Sequence, residues 1–183
     1  MSPRTPVVTA PTAFRQQLLG TIPRLRRYAR SLVFDSSSAD DLVQTALERA
    51  LAHWHQFDQR RDILVWVLSI AHNAYMDERR RHAHTVNVEP LDLQDGPDVP
   101  STHPDPGLRM DLMAALARLP VEQREPLLLV TLEQLSYAEC AEVLRIPVGT
   151  VMSRVSRGRA VLRALLDGHA PASPGTRSLR RVV

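Results

Sequence analysis

The sequence predicts an all-α fold: two small helical domains joined by a flexible acidic linker, the C-terminal one a helix-turn-helix. Three observations carry this expectation. Of 183 residues, 44% are hydrophobic but only 4% aromatic, a balance that suits Leu/Ala/Val-packed helices better than a sandwich of aromatic and β-branched strands. Apolar residues recur at steps of three and four on both sides of one break. That break, Thr85 to Gly107, holds five prolines, five acidic residues and no arginine, a composition with too little apolar surface to order itself. The chain therefore divides into a disordered arm (1–13), a helical domain (14–84), the linker (85–107), a second helical domain (108–167) and a flexible basic tail (168–183).

The first helix is expected over Phe14 to Phe34, where Leu18, Ile22, Leu25, Ala29 and Leu32 form one stripe. Arg24, Arg26, Arg27 and Arg30 surround that stripe. Ser38, followed by Asp40 and Asp41, marks a helix start with acids near the positive end of the dipole, and the helix runs to about Trp54. Asp62 can cap a third helix from Ile63 to about His82. After the linker, Asp105-Pro106 supplies a cap and a first-turn proline for a helix ending near Leu119. A helix over Val121 to Gln134 contains Pro126, which predicts a kink or a delayed start. Ser136-Tyr137-Ala138-Glu139 reads as a capping box opening a short helix to Leu144, and Arg145-Ile146-Pro147 is the turn that follows.

In the last helix Val151, Val155, Gly158, Leu162 and Leu165 share an apolar face. The opposite side carries Gly149, Ser153, Ser156, Arg157 and Ala160, flanked by Thr150 and Arg154. Between Glu142 and Asp167 there are five arginines and no carboxylate. Such a face suits phosphates, and a capped helix, a three-residue turn and a basic second helix form a helix-turn-helix whose second helix can enter a major groove. Arginine can read guanine bidentately, Ser and Thr can reach phosphates or base edges, and Gly149 allows close backbone approach. A solvated amphipathic face is the plainer alternative; the capping box, the tight turn and the absent acids favour DNA.

All 23 basic residues are arginine and the net charge is only +3, so the distribution of charge says more than its sum. The single cysteine, Cys140, allows neither an internal disulfide nor a cysteine-based zinc site and reads as a small buried hydrophobe. No apolar run approaches the ~20 residues of a membrane span, and the proline-bearing first 13 residues resemble neither signal peptide nor anchor. A cytoplasmic protein without membrane insertion is expected. No glycine-rich phosphate loop, catalytic triad or zinc spacing is present, and His53/His55 and His82/His84 diverge by about 200° on a helix. No catalytic residue, metal or cofactor is therefore expected.

The stretch Ala115 to Leu166, "ALARLPVEQREPLLLVTLEQLSYAECAEVLRIPVGTVMSRVSRGRAVLRALL", resembles the fourth conserved region of the extracytoplasmic-function sigma factors of bacterial RNA polymerase, within the sigma-70 family. "SSADDLVQTALERALAHWHQF" and "DILVWVLSIAHNAYMDERRR" resemble their second region. The resemblance implies that 14–84 is region 2 and 108–167 is region 4. It further implies that Asp41, Gln44 and Glu48 contact the clamp helices of the largest subunit of core polymerase, with Leu42, Ala46 and Leu47 turned inward. Asn73, Tyr75, Asp77, Arg79, Arg80 and Arg81 would meet the melted −10 element, where amide edges, stacking surfaces and cations capture unpaired bases. Trp66 is assigned to the core. Gly149, Thr150, Met152, Ser153, Arg154 and Arg157 would meet the −35 duplex.

Core RNA polymerase, promoter DNA and an anti-sigma factor are the implied partners. The chain departs from the family pattern at Pro126, usually aliphatic, at Met152, usually basic, and at Leu64-Val65, usually Arg-Ala. A free-standing helix-turn-helix regulator is the alternative. It lacks a recognisable effector or dimerisation domain before the linker. A protein-binding adaptor would leave the arginine helix unexplained.

Overall fold

The computed structural model describes residues 10–85 and 106–167, and their side chains except at 83–85 and 106–109. The arm to residue 9, the linker from 86 to 105 and the tail from 168 lie outside the described residues. Among the described residues the architecture is all-helical: α1 (Thr12–Val33), α2 (Ser36–Ala52), α3 (Ile63–Thr85), α4 (Pro106–Ala117), α5 (Val121–Thr131), α6 (Tyr137–Leu144) and α7 (Val148–Leu166), with a 3-10 turn at Trp54–Gln56. Helix α1 starts two residues before the expected Phe14, and Thr85, Pro106 and Gly107 belong to helices rather than to the linker.

Local chemistry sets most of the ends. The start of α2 differs from expectation. Asp35, not Ser38, is the cap, its Oδ2 accepting the Ser38 N–H at 2.7 Å. That hydrogen bond holds the Asp35 carboxyl below its ordinary pKa. Asp40 and Asp41 consequently sit in the second turn, and Asp40 pairs with Arg26 across to α1 at 3.5 Å. Asp62 Oδ1 accepts the Leu64 N–H at 2.8 Å and opens α3 as expected. Helix α5 begins at Val121 and continues through a buried Pro126 to Thr131, so the delayed start does not occur. The ring is buried within the helix, where proline supplies no backbone donor.

The C-terminal motif follows the sequence closely. Ser136 and Glu139 form the reciprocal capping box, and the bonds from Ser136 hold the Glu139 carboxyl below its ordinary value. Arg145 adopts φ 53°. Its N–H bonds the Glu142 carbonyl at 3.3 Å and the Ile146 N–H bonds the Ala141 carbonyl at 3.1 Å. These two bonds form a Schellman ending that turns the chain directly into α7.

The buried stripe of α1 is Phe14, Leu18, Thr21, Leu25, Tyr28, Ala29 and Leu32. Ile22 is only half-buried. Thr21 takes the inward place because its hydroxyl donates back to the Leu18 carbonyl at 2.7 Å, so no polar atom is left unpaired. Trp66 packs on Phe57 and Phe14, with ring centroids 5.2 and 6.0 Å away. Cys140 is fully buried, and burial pushes its thiol up to about 12. One continuous apolar cluster joins residues of α1, α2 and α3 to residues of α5, α6 and α7. The two domains therefore pack on each other, α5 against α1 and α6 against α3, where the sequence suggested only tethered units.

Candidate nucleic-acid interface

Helix α7 has two contrasting faces. Val151 and Val155 are 0% exposed, and Gly158 presses α7 onto α5 so closely that an added Cβ would stand 3.2 Å from the Gln123 carbonyl oxygen. On the other side Gly149, Met152, Ser156, Arg157 and Ala160 are exposed, with Thr150, Ser153 and Arg154 half-buried beside them. The polar groups there are ordered along the helix. Ser153 Oγ donates to the Thr150 carbonyl at 2.9 Å, and Arg157 donates from Nη2 to Ser153 Oγ at 3.2 Å and from Nε to the Ser153 carbonyl at 3.3 Å. The guanidinium is thus laid along the outward face with donor capacity left for an external acceptor. Space beside Gly149 is open. At about 100° per residue, Met152 falls beside Arg159 and Arg163, which are also exposed and which the sequence reading did not single out.

The α3 candidates divide between two faces. Asn73, Asp77 and Arg80 lie within about 60° of one another, opposite the buried Val67, Leu68 and Ala71. Tyr75 instead packs against the core, with the Arg79 guanidinium 5.9 Å from its ring centroid. Asp77 accepts from Arg49 of α2 at 3.0 Å and from Arg80 at 2.7 Å. The Arg49 bond first, with help from Arg80, holds the Asp77 carboxyl below its ordinary value. Asp77 therefore fixes Arg80 and ties α3 to α2. Arg81 pairs with Glu78. Sequence reasoning missed Arg49, because a contact between residues 28 positions apart leaves no local signal.

On α2, Asp41, Gln44 and Glu48 are all exposed along one ridge, and Gln44 Nε2 donates to Glu48 Oε1 at 2.9 Å. Leu42 and Ala46 are buried, as the resemblance implied, while Leu47, about 100° further round the helix from Ala46, is only half-buried. Among the described residues no three His, Cys, Asp or Glu side chains converge as a metal site, and no helix is long and apolar enough to cross a membrane.

Two family models match: "Sigma-70, region 4" over residues 109–162 and "Sigma2 domain of PhyR" over residues 18–72. The ECF RNA polymerase sigma factor EcfG of Rhodopseudomonas palustris is 35% identical over 88% of this chain and 91% of its own length. The chain belongs to the ECF RNA polymerase sigma factors. A probable RNA polymerase sigma-C factor of Mycobacterium bovis is 37% identical to this ECF sigma factor over 71% of each chain. Among solved structures, the sigma factor RpoE of Bartonella quintana, in complex with the anti-sigma factor NepR, superposes with a TM-score of 0.76 at 30% identity, covering 86% of this chain and 98% of that one. CnrH in complex with the cytosolic domain of CnrY gives a TM-score of 0.63 at 28% identity, covering 85% and 88%. The region 4 match of this ECF sigma factor takes in the helix-turn-helix, while Asn73 to Arg81 follow the end of the sigma2 match.

Proposed function

We propose that this alternative sigma factor holds core RNA polymerase through the exposed ridge of Asp41, Gln44 and Glu48 and directs it to promoters read by α3 and α7. Residues 14–84 act as region 2 and 108–167 as region 4. Asn73 and Arg80 face the unpaired −10 strand, with Asp77 orienting Arg80 and with Tyr75, Arg79 and Arg81 along the same helix. Gly149, Thr150, Ser153, Arg154 and Arg157 face the −35 duplex, and Met152 borders it without a charge. The polymerase supplies the nucleotidyl chemistry. An anti-sigma partner and a cytoplasmic site of action accompany this reading, since the RpoE and CnrH structures are complexes with NepR and with CnrY.

The observation that carries the −35 assignment is the pair of opposite faces on α7: valines at 0% exposure behind, and an ordered, acid-free arginine and hydroxyl face in front. Arg157→Glu tests it. The residue is exposed, so the melting temperature should stay within about 1–2 °C of wild type. Binding to a −35 duplex, followed by fluorescence anisotropy at two salt concentrations, should weaken, with the log–log salt slope smaller by about 1. Normal binding by the folded variant would remove this face from the DNA site. Met152→Lys should strengthen binding nearly uniformly across sequences.

A further inference from the structure

The N-terminal turns of the second helix are the part of a helix-turn-helix that meets base edges. In α7 those turns run from Val148 through Met152 to Arg154. The Ser153 hydroxyl there is committed: its one proton goes to the Thr150 carbonyl at 2.9 Å, and its oxygen accepts from Arg157 Nη2 at 3.2 Å. Val151 faces inward at 0% exposure, whereas Met152 is 52% exposed and Val148, one turn earlier, 42%. A lone exposed methionine on a helix is ordinary; the place of this one is not. At about 100° per residue Met152 stands about 60° from Gly149 and about 40° from Ser156, both exposed. The three form one outward strip, with Arg157 on one side and Arg159 on the other, where phosphates wall a groove. Nothing lies within 4 Å of a Cβ built on Gly149, so the Met152 side chain has open space beside it.

We propose that Met152 is a specificity-determining residue of α7, its thioether and terminal methyl taking the C5-methyl group of a thymine in the major groove. This rests on the −35 assignment above and adds a base preference to it. In the major groove the thymine of an A·T pair presents a methyl group, whereas a G·C pair presents donors and acceptors that want polar partners. A thioether set against the cytosine amine or the guanine oxygen would strip water from that group and return no hydrogen bond. The preference therefore has an attractive part and a repulsive one. Methionine suits the task because its unbranched, polarizable chain adapts to a contact that branched residues meet only in one geometry. Val148, on the same side one turn earlier, extends the apolar edge of the strip. The contact is apolar, so its contribution is insensitive to salt, unlike the arginine contacts with phosphate that flank it.

The test removes one methyl group at a time. The full-length chain selects duplexes from a randomised pool, and each thymine of a selected duplex is replaced in turn by deoxyuridine, which pairs with adenine as thymine does and lacks only the C5-methyl. At one position the replacement should weaken wild-type binding, followed by fluorescence anisotropy, about three- to fourfold, the worth of one buried methyl, and by the same factor at two salt concentrations. Met152→Ala, at an exposed position, should melt as wild type does, keep the wild-type salt slope and bind the thymine and uracil duplexes equally. Met152→Leu, which stays apolar, should retain the preference; Met152→Lys should bind both duplexes more tightly and prefer neither. Selected duplexes that share no thymine, a wild-type chain indifferent to every replacement, or a Met152→Ala chain that keeps the preference overturns the proposal while leaving selective duplex binding in place. A chain that selects no duplex from the pool overturns the −35 assignment, and this proposal with it.

Discussion

Gly158 is where the packing of the C-terminal domain is most exacting. A Cβ built there meets the Gln123 carbonyl oxygen at 3.2 Å and carbons of Gln123 and Leu119 at 3.6 Å. The obstacle is helix backbone, which cannot rotate away as a side chain would. Gly158→Ala gains about 0.8–1 kcal/mol of helix propensity but introduces an overpacking cost of typically 1–3 kcal/mol. We expect a net loss of about 1 kcal/mol, or roughly 2–4 °C in melting temperature for a chain of this size. Gly158→Val adds two further methyls to the same gap and a β-branched side chain to the helix, so it should lose about 3 kcal/mol or more, roughly 6–12 °C. Thermal melts followed by far-ultraviolet circular dichroism measure both. A Gly158→Ala protein stabilised by the full helix-propensity gain would show that α5 and α7 are not held this closely, and the inward assignment of that face would lose its main support.

Three further outcomes follow from the same geometry. Asp41→Arg with Gln44→Ala alters only exposed second- and third-turn positions of α2; the melting temperature should be nearly unchanged while co-purification with core polymerase falls, and retention equal to wild type would remove that ridge as the docking surface. Asn73→Ala with Arg80→Ala should reduce permanganate reactivity of −10 thymines more than it reduces closed-complex binding, whereas unchanged reactivity would take both residues out of the site. The Glu139 carboxyl titrates below its ordinary value in the folded chain because Ser136 donates to it, so its contribution is present above the unfolded pKa and lost as pH falls through the folded one. Glu139→Ala should therefore cost about 1 kcal/mol at neutral pH, and the gap from wild type in urea melts should close below about pH 4.

The helix order, the capping box at Ser136, the turn at Arg145–Pro147 and the inward valines of α7 were legible because each is written within a few residues of sequence. So were the exposed ridge of α2 and its buried Leu42 and Ala46. The start of α2 was misread because three consecutive serines offer competing caps, and only geometry shows that Asp35 reaches the Ser38 N–H. Pro126 argued for a kink or a delayed start, yet α5 already begins at Val121 and runs through the buried proline. The α3 candidates looked like one cluster in sequence; helical rotation separates Tyr75 and Arg79 from Asn73, Asp77 and Arg80. Least legible were Arg49 to Asp77 and the donors to Glu125 and Glu133, since pairs 28 to 109 positions apart are set by docking rather than by local pattern.

We propose that this chain confers promoter selection on core RNA polymerase through α3 and α7. The most direct measurement is transcription of a genomic fragment library by purified core polymerase with and without the protein, with the 5′ ends of the transcripts mapped. The expected result is discrete starts that require the protein and share two upstream elements about two helical turns apart, with Arg157→Glu weakening those starts through the upstream element. Starts that are unchanged by adding the protein, or that share no upstream elements, would contradict it.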